Sequence, residues 1–276
     1  MTQLVTTTDG IGLLASSNIS LLDTPYGDLG TAFAAGETVA SLAAKTATAQ
    51  VPMSAVHLLA PVINPSKIWI MGWAYHAHRI ETGKEETREP FASLVSPSAV
   101  TGPYDRIHRP SIAPDKVDYE GELAIVIESR ASAIDEDAAW GHVAGFTVVN
   151  DVSARDIQKG EIGDQPANVN MAKSFDTFMP MGPALVSIDE FDDPEDLLLR
   201  TWVDGELRQS ARTSELIWSI PHLISFLSHR TTLLPGDVIS TGTPGGVGHK
   251  QGKFLRSGSV VRVDVEGVGT IENQVV

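Results

Sequence analysis

The order of apolar and polar positions predicts a chain built mainly from short strands. Apolar runs bounded by Gly, Pro or Asp, as is typical of strands, occupy residues 67–72, 123–127, 145–150, 184–188, 197–203, 237–241 and 260–265. Helical spacing is confined to residues 31–47, 73–81, 135–140 and 214–228, and Pro221 either kinks the last helix or marks its true start. Because strands and helices do not alternate, the pattern favours a mixed, β-rich α+β fold over a doubly wound sheet.

Residues 1–65 are predicted to form a small N-terminal α/β domain, followed by a main domain at 66–276. Short apolar runs at 11–14 and 19–22 indicate a hairpin, and the Ala-rich stretch 31–47 indicates a helix. Prolines and an asparagine interrupt the pattern between residues 60 and 66, which places the boundary there.

Three carboxylates stand at strand ends. Glu120 and Glu122 are separated by one residue, so on a strand both side chains point to the same side. Asp151 ends a second apolar run. Three such acids form a hard-oxygen site suited to Mg²⁺, Mn²⁺ or Ca²⁺. The alternative is a solvated strand face.

Three further positions are candidates for chemistry. His78 and Glu81 lie three residues apart, so on a helical turn the carboxylate can orient the imidazole to activate water, or the two form a plain surface contact. Lys173 precedes an apolar-aromatic segment and either faces solvent or meets an anion. The segment 82–90 is charged without an apolar face and is either a mobile lid or a solvated loop.

A glycine-rich loop at residues 241–248 follows a predicted strand. It lacks the features of a phosphate-binding P-loop and of a dinucleotide fingerprint. Its backbone amides could hold a carboxylate, or the loop is a tight structural turn.

Composition excludes several classes of function. The chain has 276 residues, 35 acidic against 20 basic, and a formal net charge of −15, which argues against a nucleic-acid partner. It has no cysteine, so thiolate nucleophiles and cysteine-ligated metal sites are excluded. The N-terminus lacks the pattern of a signal peptide, and no segment suits a transmembrane helix. A soluble, cytoplasmic protein without a membrane partner is predicted.

Taken together, these segments resemble the fumarylacetoacetate hydrolase family from about residue 60 to the C-terminus. The matching motifs are Tyr75-x-x-His78-x-x-Glu81, Asp118-Tyr-Glu-x-Glu122-Leu, Asn150-Asp-Val-Ser-Ala-Arg-Asp156 with Gln158, Lys173-Ser-Phe-Asp-Thr-Phe, Pro235-Gly-Asp-Val-Ile and Thr241-Gly-Thr-Pro-Gly-Gly-Val-Gly248. Two positions depart from the family pattern: Ala74, preceded by Trp73, replaces an asparagine, and Ser96 replaces a lysine. Both departures bear on which substrate the site accepts more than on metal binding.

The resemblance implies a mixed β-roll or sandwich, a homodimer and a divalent cation, usually Mg²⁺, with Mn²⁺ or Ca²⁺ as alternatives. It implies that Glu120, Glu122 and Asp151 bind this cation. It also implies a water-activating pair at His78 and Glu81, an oxyanion-stabilising Lys173, and substrate contacts from Tyr75, Arg155, Gln158 and Thr243.

Three hypotheses for function follow. The first is a metal-dependent hydrolase that cleaves a C–C bond of a 1,3-dicarbonyl or acylpyruvate-type 2-oxo acid through a metal-bound enolate. The second is a decarboxylase of the oxaloacetate type, or an isomerase of unsaturated oxo-dicarboxylates, on the same site. The third is a non-catalytic Ca²⁺-binding protein. In the first two, the substrate is a small anionic oxo acid.

Overall fold

Short strands make up most of the regular structure, as the apolar pattern predicts. The structure is a computed structural model that describes all 276 residues. The strands are β1 (Gln3–Thr7), β2 (Gly10–Ala15), β3 (Asn18–Leu22), β4 (Ala47–Pro52), β5 (Leu58–Leu59), β6 (Ile68–Gly72), β7 (Phe91–Val95), β8 (Val100–Thr101), β9 (Val117–Asp118), β10 (Gly121–Ile127), β11 (Val143–Asn150), β12 (Ser153–Ala154), β13 (Met179–Ser187), β14 (Leu198–Val203), β15 (Glu206–Arg212), β16 (Val238–Ser240), β17 (Val260–Val265) and β18 (Gly269–Gln274).

The helices are short and lie between the strands. They are α1 (Leu29–Ala34), α2 (Val39–Ala43), α3 (His76–Thr82), α4 (Arg155–Lys159), α5 (Val169–Lys173), α6 (Ile220–Ser228) and α7 (Gly248–Gln251). Single turns of 3₁₀ helix occupy Met53–Ala55, Pro97–Ala99, Ile188–Glu190 and Thr213–Glu215, and a longer stretch occupies Glu136–His142. None of the helices has the length and apolar character that crossing a membrane requires.

Two sheets packed face to face form the body of the fold. The larger sheet has twelve strands, with the main order β4-β3-β2-β1-β13-β11-β10-β16-β6-β7; β5 pairs with β1, and β8 with β13. Its pairs are antiparallel except β16 with β6 and β13 with β8. A four-stranded antiparallel sheet, β15-β14-β17-β18, packs against β10, β11 and β13. The β-rich α+β prediction is therefore confirmed.

The N-terminal strands continue the larger sheet. β1 pairs with β13, and β2 and β3 form the hairpin that the sequence predicts. On the face of the sheet opposite the four-stranded one, Leu29 and Phe33 of α1 pack in one apolar cluster with Val126 and Ala144 of the central strands. β10 and β11 are consequently buried along their whole length. The division of the chain at residue 65 stays a prediction.

Two predicted helices have different bounds in the structure. The single helix predicted at 31–47 is wrong: α1 ends at Ala34, and α2 begins after Thr38, whose hydroxyl caps it by accepting from the amide of Ser41 at 3.0 Å. The helix predicted at 214–228 begins only at Ile220, after the N-cap Ser219. Pro221 marks this start, because proline is tolerated in a first helical turn.

The predicted strands are largely confirmed, but one of them begins earlier in the chain than the sequence pattern predicts. The strand predicted at 184–188 begins at Met179, so the sequence pattern missed its first half. Pro180 and Pro183 interrupt that half, and proline ordinarily argues against a central strand. The helical stretch predicted at 135–140 is a 3₁₀ segment rather than an α-helix.

Gly121 determines which face of the larger sheet its two acidic neighbours occupy. It starts β10 and points at the four-stranded sheet, where a Cβ would lie 2.1 Å from Thr201 Oγ1 and 2.9 Å from Val263 Cγ1. Because side chains alternate along a strand, Glu120 and Glu122 point the other way. The close approach of the sheets therefore requires glycine between the two acids.

We expect Gly121→Ala to lower the free energy of unfolding by about 1–3 kcal/mol, because the added methyl overpacks the contact between the sheets. Gly141→Ala is the matched control, since nothing lies within 4 Å of a Cβ at that position. Urea unfolding of both variants measures the difference. Equal stabilities would contradict the close packing at Gly121.

Candidate active site

Glu120, Glu122 and Asp151 meet at one end of the paired strands β10 and β11. Gly121 lies opposite Asn150 in the antiparallel register, so the residues that flank this pair are brought side by side. One carboxylate oxygen from each acid lies within 4.8 Å of the others, and all three side chains are buried. The alternative that these acids form a solvated strand face is thereby excluded.

Each acid is held by different donors. Glu122 accepts hydrogen bonds from the Ser240 hydroxyl at 2.5 Å and from the Gly242 amide at 2.7 Å. Glu120 accepts from Arg155 and from Lys173, both at 2.6 Å. One oxygen of Asp151 accepts from Lys173, whereas its Oδ1 is buried without any hydrogen-bond partner.

The charges of this cluster are not balanced by its own cations. Burial, together with the nearby Asp151 and Glu120, raises the pKa of Glu122 well above its ordinary value. Burial also raises the pKa of Asp151 to about 6, although Lys173 opposes the shift. Burial acts to raise the pKa of Glu120 too, but Arg155 and Lys173 hold it well below its usual range.

A divalent cation fits this donor set. Three carboxylates are the oxygen ligands that hard cations such as Mg²⁺, Mn²⁺ and Ca²⁺ prefer. The unpartnered Oδ1 of Asp151 is an orphaned acceptor, which is rare in a buried carboxylate unless something else satisfies it. The raised pKa values of Glu122 and Asp151 indicate the same need for positive charge.

His78 and Glu81 form the pair that their spacing predicts. Both lie on α3, with His78 Nδ1 3.3 Å from Glu81 Oε2. Glu81 also accepts a hydrogen bond from the Gly246 amide at 3.2 Å, which fixes the carboxylate. The imidazole is buried and lines the same cavity as the three acids, whereas His76 is exposed on the opposite side of the helix.

Lys173 and Arg155 are the two buried cations beside the acids. Lys173 ends α5, and burial opposes its charge, but Asp151 and Glu120 raise its pKa overall. Arg155 begins α4 and donates to Glu120 and, through Nη1, to Gln158 at 2.9 Å. Lys173 therefore meets anions rather than solvent, and both cations stay charged.

Asp118 organises this part of the site, and the sequence offered no role for it beyond its place in a motif. It is fully buried and accepts from Arg155 Nε at 2.8 Å. It also accepts from the backbone amides of Gly248 at 2.8 Å and His249 at 2.9 Å. The carboxylate thus joins α4 to the start of α7, a link between distant segments that no sequence pattern reveals.

The glycine-rich loop at 241–248 does hold carboxylates, but they are the protein's own. The Gly242 amide donates to Glu122, the Gly246 amide to Glu81 and the Gly248 amide to Asp118. Gly246 has φ of +105°, and a Cβ there would lie 2.0 Å from the Arg208 carbonyl oxygen.

The acids, the imidazole and the two buried cations line one cavity of about 420 Å³. Gln158 and Thr243 also line it, although the Thr243 hydroxyl already donates to Gly121 O and accepts from Gln209. Tyr75 is buried behind the wall, with its hydroxyl unpartnered, so its predicted substrate contact stays a prediction. The apolar part of the wall comes from Ile70, Met71, Trp73, Phe91, Val169 and Val247.

The charged segment 82–90 borders the cavity and is tied to the rest of the chain. The Lys84 amine lies 4.9 Å from the centre of the Trp73 ring, Arg79 donates to Thr87 at 3.0 Å, and Glu89 pairs with Arg230 at 2.9 Å. Whether this segment acts as a lid stays a prediction.

Comparisons with known proteins show what this chain is similar to. A family model described as fumarylacetoacetate (FAA) hydrolase C-terminal matches residues 67–276. The chain is 42% identical over 246 residues to oxaloacetate tautomerase FAHD2B, mitochondrial, of Bos taurus, covering 87% of this chain and 77% of that protein. It is 43% identical over 228 residues to oxaloacetate tautomerase YisK of Bacillus subtilis, covering 81% and 74%.

A solved structure resembles the whole chain. Maleylpyruvate hydrolase from Sphingobium sp. SYK-6, in complex with manganese(II) ion and pyruvate, matches with a TM-score of 0.80 at 28% identity. The match covers 99% of this chain and 98% of that one.

Binding of Mg²⁺ or Mn²⁺ is expected to weaken as the pH falls through about 6, because a proton then occupies Asp151, whose pKa is about 6. The raised pKa of Glu122 makes a proton compete with the metal at that acid as well. Each proton that the metal must displace costs about tenfold in affinity per pH unit. Isothermal titration between pH 5 and 8 measures this slope.

The matched variants are Asp151→Asn, which removes one acid of the cluster, and Asp137→Asn, which removes an exposed acid outside it. Asp151→Asn is expected to weaken metal binding by more than about 100-fold, since loss of an outer-shell partner alone costs up to that much. Affinity that is independent of pH, or equal in the two variants, would place the metal elsewhere.

Proposed function

Because this chain belongs to the fumarylacetoacetate hydrolase family, we propose that it interconverts the keto and enol forms of a dicarboxylic 2-oxo acid of the oxaloacetate class, in a metal-dependent reaction. The chain is an enzyme of this family, which sets aside the non-catalytic Ca²⁺-binding hypothesis. The sequence analysis named decarboxylation of an oxaloacetate-type acid, or isomerisation of an unsaturated oxo-dicarboxylate, as its alternative. Tautomerisation shares the substrate class of that alternative but is a different reaction, and C–C bond hydrolysis becomes the second candidate. The tautomerase names of the two relatives support this order.

One observation carries the proposal: an imidazole and two cations line the same cavity as the three acids that would hold a cation. His78 lines the cavity on one wall, and Lys173 and Arg155 contact Glu120. Enolisation needs a base for the carbon-bound proton and positive charge for the developing oxyanion. Both are present within one cavity.

Glu120, Glu122 and Asp151 would hold Mg²⁺ or Mn²⁺, and such an ion supplies Lewis acidity toward the 2-oxo group of the substrate. Manganese(II) in the similar maleylpyruvate hydrolase structure supports this choice over Ca²⁺. The carboxylates also have the hard oxygen character that either ion prefers.

The proposed proton transfer uses His78 and Glu81. The neutral imidazole of His78 takes a proton from C3 of the keto acid, and Glu81 stabilises the imidazolium that forms. The electron pair of the broken C–H bond becomes the C2–C3 double bond, and the 2-oxo oxygen becomes an enolate oxygen. The imidazolium of His78 then returns the proton to that oxygen, directly or through a water molecule, which gives the enol and restores the imidazole. One proton moves from carbon to oxygen and nothing is consumed.

Lys173 stabilises the negative charge that develops on this oxygen. Its ammonium has three N–H donors, of which two are engaged by Glu120 and Asp151. The third is available to the substrate. Because the lysine is buried and its pKa is raised, it acts as a fixed positive charge rather than as a base.

Hydrolysis is the second candidate because the same imidazole could deprotonate water instead of carbon. The cavity of about 420 Å³ has room for a water molecule beside a small oxo acid. The similar structure of a maleylpyruvate hydrolase also supports hydrolysis as the second candidate. The two candidates differ in what His78 deprotonates.

We expect His78→Gln to lower kcat for oxaloacetate tautomerisation by about 10²–10⁴-fold, because the general base is lost. Metal binding should remain, since His78 is not one of the acids. His76→Gln is the matched control: it removes an exposed histidine of the same helix that does not line the cavity. Decay of the enol absorbance, with saturating Mg²⁺ or Mn²⁺, measures the rate.

The same preparations separate the candidates when acylpyruvate cleavage and CO₂ release are assayed in parallel. Enolisation faster than either reaction supports the first candidate. Cleavage without accelerated enol decay would overturn it in favour of hydrolysis. Full tautomerase activity in His78→Gln would remove the assigned base. The homodimer and the cytoplasmic location stay predictions.

A further inference from the structure

Three lysines differ from every other lysine in the chain. Lys84, Lys159 and Lys250 have no carboxylate oxygen within 4.0 Å, and all three line the cavity of the active site. Every other lysine forms an ion pair: Lys45 with Glu37, Lys67 with Asp237, Lys116 with Glu161, Lys173 with Glu120 and Asp151, and Lys253 with Glu206.

This distribution is unexpected for a protein with a formal net charge of −15. With acids in such excess, a lysine at a random surface position readily finds a carboxylate, as Lys116 and Lys253 do. The unpaired lysines come from three separate segments and converge on one opening. Positive charge that is left without a protein partner at a cavity favours an anionic ligand.

Lys159 and His249 form the best-defined part of this cationic rim. The Lys159 amine lies 2.6 Å from His249 Nε2, which places two nitrogen bases in contact with no acid between them. Burial, followed by the charges of Lys159 and Arg155, lowers the pKa of His249, which favours a neutral imidazole that accepts a hydrogen bond from Lys159. The remaining N–H donors of the ammonium have no carboxylate partner.

The rim is joined to the three acids through α4. Glu120 contacts Arg155 at the start of this helix, Arg155 contacts Gln158, and Lys159 ends the helix. Lys159 has no carboxylate oxygen within 4.0 Å, so it does not contact the acids itself. In oxaloacetate the second carboxylate is only one methylene away from the oxo carbon, so it stays at the end with the acids. A cavity of about 420 Å³ falls within the range that accommodates larger ligands.

We propose that Lys159, together with His249 and Lys250, forms a second carboxylate subsite, which binds the distal carboxylate of a dicarboxylic 2-oxo acid longer than oxaloacetate. The inference rests on the proposed function in one respect: the 2-oxo carboxylate end of the substrate lies at Glu120, Glu122 and Asp151. Lys159 is then a residue that determines specificity for chain length and charge.

The test uses two ligands of equal length that differ in the charge of one end. 2-Oxoadipate has a carboxylate at its far end, and 2-oxohexanoate has a methyl group there. Isothermal titration of the Mg²⁺-loaded protein is expected to show about tenfold or greater preference for 2-oxoadipate, the size of a charged hydrogen bond. Oxalate, titrated in parallel, probes the end with the acids alone.

Lys159→Met is expected to lose most of this preference, whereas Lys159→Arg should keep most of it. Lys45→Met is the matched control, because it removes the same charge from a lysine that pairs with Glu37 outside the cavity. Oxalate should bind equally well to all four proteins. A Lys159→Met preference equal to that of the wild type, or no preference in the wild type, would overturn the subsite while leaving the proposed function intact.

Failure of oxalate to bind the wild-type protein has a different meaning. It would contradict the placement of the 2-oxo carboxylate at the acids, and with it the proposed function on which the subsite rests.

Discussion

The structure depends on an excess of buried negative charge at the end of its two central strands. Four fully or almost fully buried carboxylates meet only two buried cations there: Asp118, Glu120, Glu122 and Asp151 against Arg155 and Lys173. When all are ionised, two negative charges remain, which is the charge that one divalent ion neutralises. Burying unpaired charge is costly, so without a bound cation the raised pKa values of Glu122 and Asp151 favour protonation of these acids. A cation and protons therefore compete for the cluster, because the surrounding elements keep these acids from separating.

The packing of the two sheets brings this cluster together. It also keeps the cluster away from solvent, since both faces of the central strands are covered. The four-stranded sheet presses on Gly121 from one side, and the helices near the N-terminus cover Val126 and Ala144 on the other face. Strand alternation then leaves one direction for Glu120 and Glu122, toward the cavity. The arrangement of this cluster is thus a consequence of layer packing as much as of the acids themselves.

Local spacing could be read from the sequence, whereas convergence of distant segments could not. The i, i+2 spacing of Glu120 and Glu122 predicts a shared face, and the i, i+3 spacing of His78 and Glu81 predicts a contact, since both follow from the geometry of one element. The sequence pattern does not show the start of β13, because the prolines there argue against a strand. Pairing with distant strands forms the strand nonetheless. Asp118 joins α4 to α7, and Lys159 lies beside the cavity. Both positions depend on the register between strands and loops far apart in the chain, which periodicity does not encode.

The amides of the loop at 241–248 bond to acids with three separate tasks: one in the metal cluster, one behind the imidazole and one that anchors Arg155. Each of these amides is a fixed number of residues from the next, so a one-residue insertion or deletion between Gly242 and Gly248 would put the contacts on its two sides out of register with each other. The loop can therefore vary in side chains more easily than in length. A change in its length would misplace at least one of the acidic cluster, the imidazole and Arg155 relative to the others.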